Sequence, residues 1–253
     1  MTDLEVRVLG PVELLRSGRR VSLNGRTTLT VLAGLALAPG RAVSVDTLID
    51  YIWEADLPGH PRAALHNGVS RLRRLLGAGR LETVGRGYRL RADAGDLDLL
   101  RFDRQLAAAR QATSRGREEA AIGALDDAIR LWREPLLGNV DSPSLHREFA
   151  PGLTERYLEA VELRAELCLR LGRHGPLVAE LAKVARAYPL REHLTAQLMI
   201  ALVRAGRRAD ALVAYNALRR VLREELDIDP AAALKDLQVK ILRADPGLGL
   251  AVS

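Results

Sequence analysis

The stretch PRAALHNGVSRLRRLLG, residues 61–77, decides the fold of the amino-terminal part of the chain. Pro61 stands where a first helical residue loses nothing by lacking an N–H. Gly77 stands where a helix C-terminus accepts a left-handed residue. Between them Leu65, Val69, Leu72 and Leu76 recur at spacings of four, three and four, one apolar stripe at helical period. Asn67, Ser70, Arg71 and Arg74 fall on the opposite side, with His66 and Arg73 flanking the stripe. Arg paired with guanine, Asn with adenine and Ser with either base are the side chains that read a DNA major groove. A solvated basic helix face has the same pattern, and the helix alone leaves both readings open.

Its neighbours favour DNA. Upstream, SVDTLIDYIW (44–53) reads as a short helix capped by Ser44, with Leu48, Ile52 and Trp53 as its apolar side. Downstream, 81–84, Gly85-Arg86-Gly87 and 88–91 read as a hairpin with a basic tip. Helix, helix, basic hairpin is the order of a winged helix-turn-helix. Residues 62–91 hold eight Arg against a single acid, Glu82, a balance suited to phosphate.

The rest of the amino-terminal half fits that reading. Residues 4–9 and 12–16 alternate apolar and polar, and 20–23 is a third short strand, so a small antiparallel sheet comes first. Residues 27–37 then form a first helix, stopped at Pro39-Gly40. The expected order is β-β-β-α-α-α-β-β, closing near Arg91.

From 92 onward the chain changes character. Ala, Leu, Arg and Glu dominate at helical period, giving expected helices over 99–114, 117–132, 147–171, 174–187, 191–205, 208–226 and 231–243. PLLGNVDSPS (135–144) is expected to be a loop packing back on them. Gly-Arg at 172–173 returns at 206–207, a spacing of 34, the period of a tetratricopeptide repeat. Gly116 is followed at plus five, nine and twelve by Ala121, Leu125 and Ala128. Gly172 is followed by Leu177, Leu181 and Val184, and Gly206 by Ala211, Tyr215 and Leu218. Such units bury a core only by stacking. A partner-binding surface and a plain helical support both suit them. The fold class is therefore α+β, a winged helix-turn-helix over 1–95, followed by an all-α, tetratricopeptide-like domain over 96–247.

Bulk composition narrows the function. Of the net +6, residues 1–95 supply +5, with 14 Arg, no Lys and 9 acids; the remainder supplies +1. The single cysteine, Cys168, excludes an internal disulfide and sits in the apolar ELCLRL stretch, where a packed thiol is expected. No run is apolar enough to span a membrane, and the opening MTDLEVRVLG, without a basic then apolar region, gives no expectation of a signal peptide. The five histidines are scattered, with no HExxH, no GxSxG and no phosphate-loop motif. No enzymatic activity, metal or cofactor is expected.

The succession of LGPVEL (9–14), VSVDTLIDYIW (43–53), VSRLRRLLG (69–77), GYRL (87–90), DLDLLRFDRQL (96–106), ALDDAIRLWREPLL (124–137), the long run 188–230 and LQVKILRADP (237–246) resembles the Streptomyces antibiotic regulatory protein (SARP) family. These activators join an OmpR-type winged helix to a bacterial transcriptional activation domain. The resemblance implies activation of a secondary-metabolite gene cluster and binding to direct repeats near its promoter. It also implies recruitment of RNA polymerase with its sigma factor, two copies side by side on DNA, and a cytoplasmic, nucleoid-associated protein. A small stand-alone member is expected, without the ATPase module of larger relatives. Two departures stand out. The family's first helix usually opens with basic residues or glutamine, whereas this one opens with Thr27 and Thr28, leaving phosphate contacts to Arg26 and hydroxyls. The recognition helix usually has an aromatic residue or His where this chain has Gly68. The residues assigned to DNA are Arg62, His66, Asn67, Ser70, Arg71, Arg73 and Arg74 on the helix, Arg86 and Tyr88 on the wing, and Arg26, Thr28 and Ser44 at the heads of the earlier helices. A helical-repeat scaffold with a DNA-docking domain, and a ligand-sensing regulator, are the alternatives.

Overall fold

A computed structural model describes residues 4–248. The chain forms two compact units, the first ending at Ala160 and the second beginning at Val161. Helix α6 (Pro143–Arg170) contributes residues to both.

The first unit opens with an antiparallel sheet of β1 (Leu4–Arg7), β2 (Glu13–Arg16) and β3 (Arg19–Val21), in that spatial order. Alternation puts Leu4 and Val6 inside and Glu5 and Arg7 toward water. Helices α1 (Arg26–Leu37), α2 (Val45–Trp53) and α3 (Pro61–Leu76) follow. The Ser44 side chain accepts from the Thr47 N–H at 3.0 Å, capping α2 as its sequence implies. The α2 core face is Leu48, Tyr51 and Ile52; Trp53, expected inside, is only half-buried. One position of helical phase makes the difference, since Tyr51 stands three residues after Leu48 on the same face.

The wing has one strand more than its sequence suggests. β5 (Leu81–Val84) and β6 (Gly87–Leu90) pair around the two-residue turn Gly85-Arg86, and β6 also pairs with β4 (Val43–Ser44). Two residues are too few to show a period of two, so β4 is silent in the sequence. The Val45 N–H donates to the Arg86 carbonyl at 2.9 Å and ties the wing turn to the start of α2.

Helices α4 (Asp98–Ser114) and α5 (Glu118–Arg130) pack together and complete this unit with the first part of α6. The segment 135–144, expected to be a loop packing back on the helices, docks together with Arg133 on the β1–β2 turn. Arg133 and Leu137 donate backbone N–H groups to the carbonyls of Leu9 and Gly10 at 2.7 and 2.9 Å. The Asn139 amide pairs with both backbone groups of Val12, accepting at 2.7 Å and donating at 3.0 Å. The Asp98 carboxylate accepts from the N–H groups of Val8 and Leu9 at 2.8–3.0 Å, with Arg133 3.5 Å away. Asp98 is 1% exposed. Burial pushes its carboxyl up to about 6, against the pull of those N–H groups and of Arg133. Two residues given no role from the sequence, Asp98 at the start of α4 and Asn139 in the following irregular segment, thus fasten the β1–β2 turn.

The second unit contains α7 (His174–Ala187), α8 (Glu192–Arg204), α9 (Arg208–Leu226) and α10 (Ala232–Leu242); α8 packs against both α7 and α9. The three glycines of the expected repeat each follow a helix, with φ of 67°, 73° and 75° at Gly116, Gly172 and Gly206. Their capping is the same each time. The glycine N–H reaches the carbonyl three residues back (Thr113, Leu169, Val203), and the next N–H reaches five back (Ala112, Cys168, Leu202). All nine residues at plus five, nine and twelve are buried. The repeat read in the sequence is therefore a repeat in structure, and Cys168 is buried within it.

Candidate nucleic-acid interface

The α3 stripe behaves as its spacing dictates. Leu65, Val69, Leu72 and Leu76 are buried, and Gly68 joins them. Arg62, His66, Asn67, Ser70, Arg71, Arg73 and Arg74 are all exposed on the other side. The guanidinium groups of Arg71 and Arg74 make no ion pair or hydrogen bond among the described residues, and neither does that of Arg86 at the wing tip. Their guanidinium donors remain available to an external acceptor.

Other members of this basic set are already occupied. Arg62 pairs with Asp46 of α2 at 2.9 Å. Arg73 donates to the Leu81 carbonyl at 3.3 Å and to the Thr83 hydroxyl at 2.6 Å, and its guanidinium lies 5.7 Å from the centre of the Tyr88 ring. It braces α3 against the wing. His66 meets the same ring edge-on, 6.4 Å between centroids. Tyr88 itself is 6% exposed, so this assigned DNA contact is corrected: the ring is the support under Arg73 and His66. Thr28 is corrected likewise, being 3% exposed within α1, on the side turned from water. Arg26 is exposed at the head of α1, where its Nε donates to the Asp141 carbonyl at 3.1 Å and its guanidinium pairs with the Asp141 carboxylate at 3.4 Å. Ser44 is exposed and engaged as the α2 cap.

The one acid in the segment does not cancel the arginines at the tip. Glu82 is held by Arg89 at 2.8 Å and by Arg91 at 3.0 Å. The Arg89 hydrogen bond, with Arg91 beside it, keeps its carboxyl below the ordinary carboxylate range. Free arginines on a helix beside a free arginine on a wing are donors of the kind that phosphate oxygens and base edges accept.

Among the described residues, no cluster of three His, Cys, Asp or Glu could hold a metal ion, and no helix is long and apolar enough to cross a membrane.

Known proteins share both halves. The model of the bacterial transcriptional activator domain matches residues 97–242, and that of the C-terminal domain of transcriptional regulatory proteins matches 18–90. The regulatory protein DnrI of Streptomyces peucetius is 35% identical over 256 residues, covering 97% of this chain and 94% of that protein. The chain belongs to the SARP family of transcriptional regulators. The regulatory protein AfsR of Streptomyces coelicolor is 38% identical over 246 residues; the match spans 97% of this chain but only 25% of AfsR. Among solved structures, Mycobacterium tuberculosis EmbR, in complex with a low affinity phosphopeptide, superposes with a TM-score of 0.88 at 35% identity. That match covers 97% of this chain and 66% of EmbR. The winged helix and helical repeats of this SARP chain are thus a shared architecture.

The structure also names residues that sequence reasoning passed over. Asp98 and Asn139 hold the β1–β2 turn, and Glu148 receives the Tyr51 hydroxyl at 2.6 Å. Burial and that bond hold the Tyr51 phenol well above its ordinary range. Their partners lie far away along the chain, so no local pattern could announce them.

Proposed function

We propose that the chain is a sequence-specific DNA-binding activator of a secondary-metabolite gene cluster. In this reading residues 1–95 recognise direct repeats near the promoter. Residues 96–247 form the activation domain, which engages RNA polymerase with its sigma factor. Two copies act side by side on DNA. The observation that carries the reading is the unoccupied pair Arg71 and Arg74 on the exposed face of α3, with Asn67 and Ser70 exposed on the same helix and Arg86 on the adjacent wing. One winged helix reads too short a segment to select a promoter from a genome. Repeats about 10–10.5 bp apart place two copies on one face of the duplex. The near-neutral charge of residues 96–253 suits contacts with protein better than contacts with phosphate.

The test is a salt titration of the full chain on promoter and random DNA. Specific binding predicts a preference for the promoter that persists when salt has removed random binding. Equal affinity for both at every salt concentration contradicts it.

A further inference from the structure

The second unit contains a groove of about 640 Å³ between α7 and α9, floored by α8. One wall is Val178, Ala182 and Ala185, at helical spacings of four and three. The other is Val213, Ala217 and Val221, each four apart. Val213 is 65% exposed, the most exposed of the large apolar side chains described. Alanines on both walls leave room for a backbone to come close. The α9 wall from Asp210 to Val221 rises over eleven residues, about 16 Å of helix. That length is three turns of a docked helix, longer than a compact effector needs.

Charge at the rim selects among helices. Arg186 on α7 and Arg220 on α9 line the groove, and neither has a partner among the described residues. They stand at one repeat position, each fourteen residues after its capping glycine, Gly172 or Gly206. Asp210, the one acid in the lining, is already paired with Arg207 at 2.7 Å. The groove therefore offers an apolar floor under two free positive charges, one on each wall.

We propose that this groove binds an amphipathic helix of a partner protein, apolar on one face and carrying Glu or Asp on both flanks. The apolar face replaces water over Val213 and the alanines, and the acids meet Arg186 and Arg220. The inference deepens the activator reading and rests on it, since it supplies a protein contact for the near-neutral half of the chain.

The test uses the full chain and two labelled helical peptides of about 16 residues. Both carry Leu at i, i+3, i+4 and i+7; one has Glu on its flanks and the other Lys. The Glu peptide should bind, and the Lys peptide should bind about tenfold more weakly or not at all. In the exposed double variant Arg186→Glu/Arg220→Glu the order should reverse. Val213→Asp should weaken both. Promoter DNA affinity should stay at the wild-type value in every variant, so a chain that binds DNA but shows no peptide preference fails in the groove alone. Loss of DNA binding by the wild-type chain fails the activator reading instead. Equal binding of the two peptides, or an unchanged order in the double variant, overturns the proposal. So does a chain that ignores both peptides yet forms a dimer, or binds a small molecule, in a manner abolished by Val213→Asp.

Discussion

A Cβ placed on Gly68 in α3 would stand 2.6 Å from Cγ2 of Thr27 in α1. The two departures of this chain from the family pattern therefore meet in space. A glycine inside a helix is disfavoured by about 1 kcal/mol relative to alanine, yet here it lets α3 lie against α1. Gly68→Ala should consequently destabilise the protein by about 1 kcal/mol, overpacking outweighing the gain in helix propensity. Gly68→Ala combined with Thr27→Ala, which removes the obstructing methyl group, should recover wild-type stability or better. Denaturant unfolding of the three proteins decides it; a Gly68→Ala protein more stable than wild type refutes the close approach.

Arginines that look alike in sequence should separate in experiment. Arg86→Ala removes a free charge at the wing tip, so it should lower the salt slope of DNA binding by about 0.9 and leave unfolding unchanged. Arg73→Ala removes the brace to Thr83 and Tyr88, so it should lower stability as well as affinity. Binding isotherms at several salt concentrations, with melting curves on the same samples, distinguish the two. Equal melting of both variants contradicts the bracing role.

Much of the fold was legible from periodicity. The α3 stripe, the α2 cap and the nine repeat positions all depend on neighbours within a few residues, and local pattern contains that information. What escaped depends on distant or very short features. The two-residue β4 has no period. Tyr88 and Thr28 are polar enough to suggest contacts, and only the packing shows that they lie inside. Segment 133–142 is irregular, with no period to read, and its docking on Gly10 and Val12 rests on partners more than a hundred residues earlier.

That docking sets a limit on where the protein can be cut. A fragment ending at residue 95 loses Asp98 and Asn139 and leaves the N–H groups of Val8, Leu9 and Val12 without their acceptors. It should be about 2–5 kcal/mol less stable than a fragment ending at residue 160, each lost acceptor costing about 1 kcal/mol or more. Urea unfolding of the two fragments makes the comparison. Equal midpoints and slopes show that the fastening contributes nothing.

Asp98 also gives the first unit a pH dependence of definite sign. Its folded carboxyl is raised from 3.8 to about 6. Below pH 4 it is protonated folded and unfolded alike, and its contribution is fully present. Between about pH 4 and pH 6 the folded state keeps a proton that the unfolded chain releases, so on the order of 3 kcal/mol of that contribution is lost progressively, the loss being complete as pH rises through the folded value near 6. Carbon-13 NMR of the Asp98 carboxyl should titrate with a midpoint near 6, and Asp98→Asn should remove this limb of the stability profile. A midpoint below 4 means that the Val8 and Leu9 N–H groups and Arg133 outweigh burial.

The most direct measurement is footprinting of the full chain on the promoters of its neighbouring gene cluster, with Arg71→Ala/Arg74→Ala alongside. Loss of a base-reading arginine should cost about 1–3 kcal/mol and relax specificity at one position. The wild-type chain should protect two direct repeats about one helical turn apart, with protection lost in the double variant and when half a turn is inserted between the repeats. No protected site for the wild-type chain, or the same footprint from the double variant, contradicts the account.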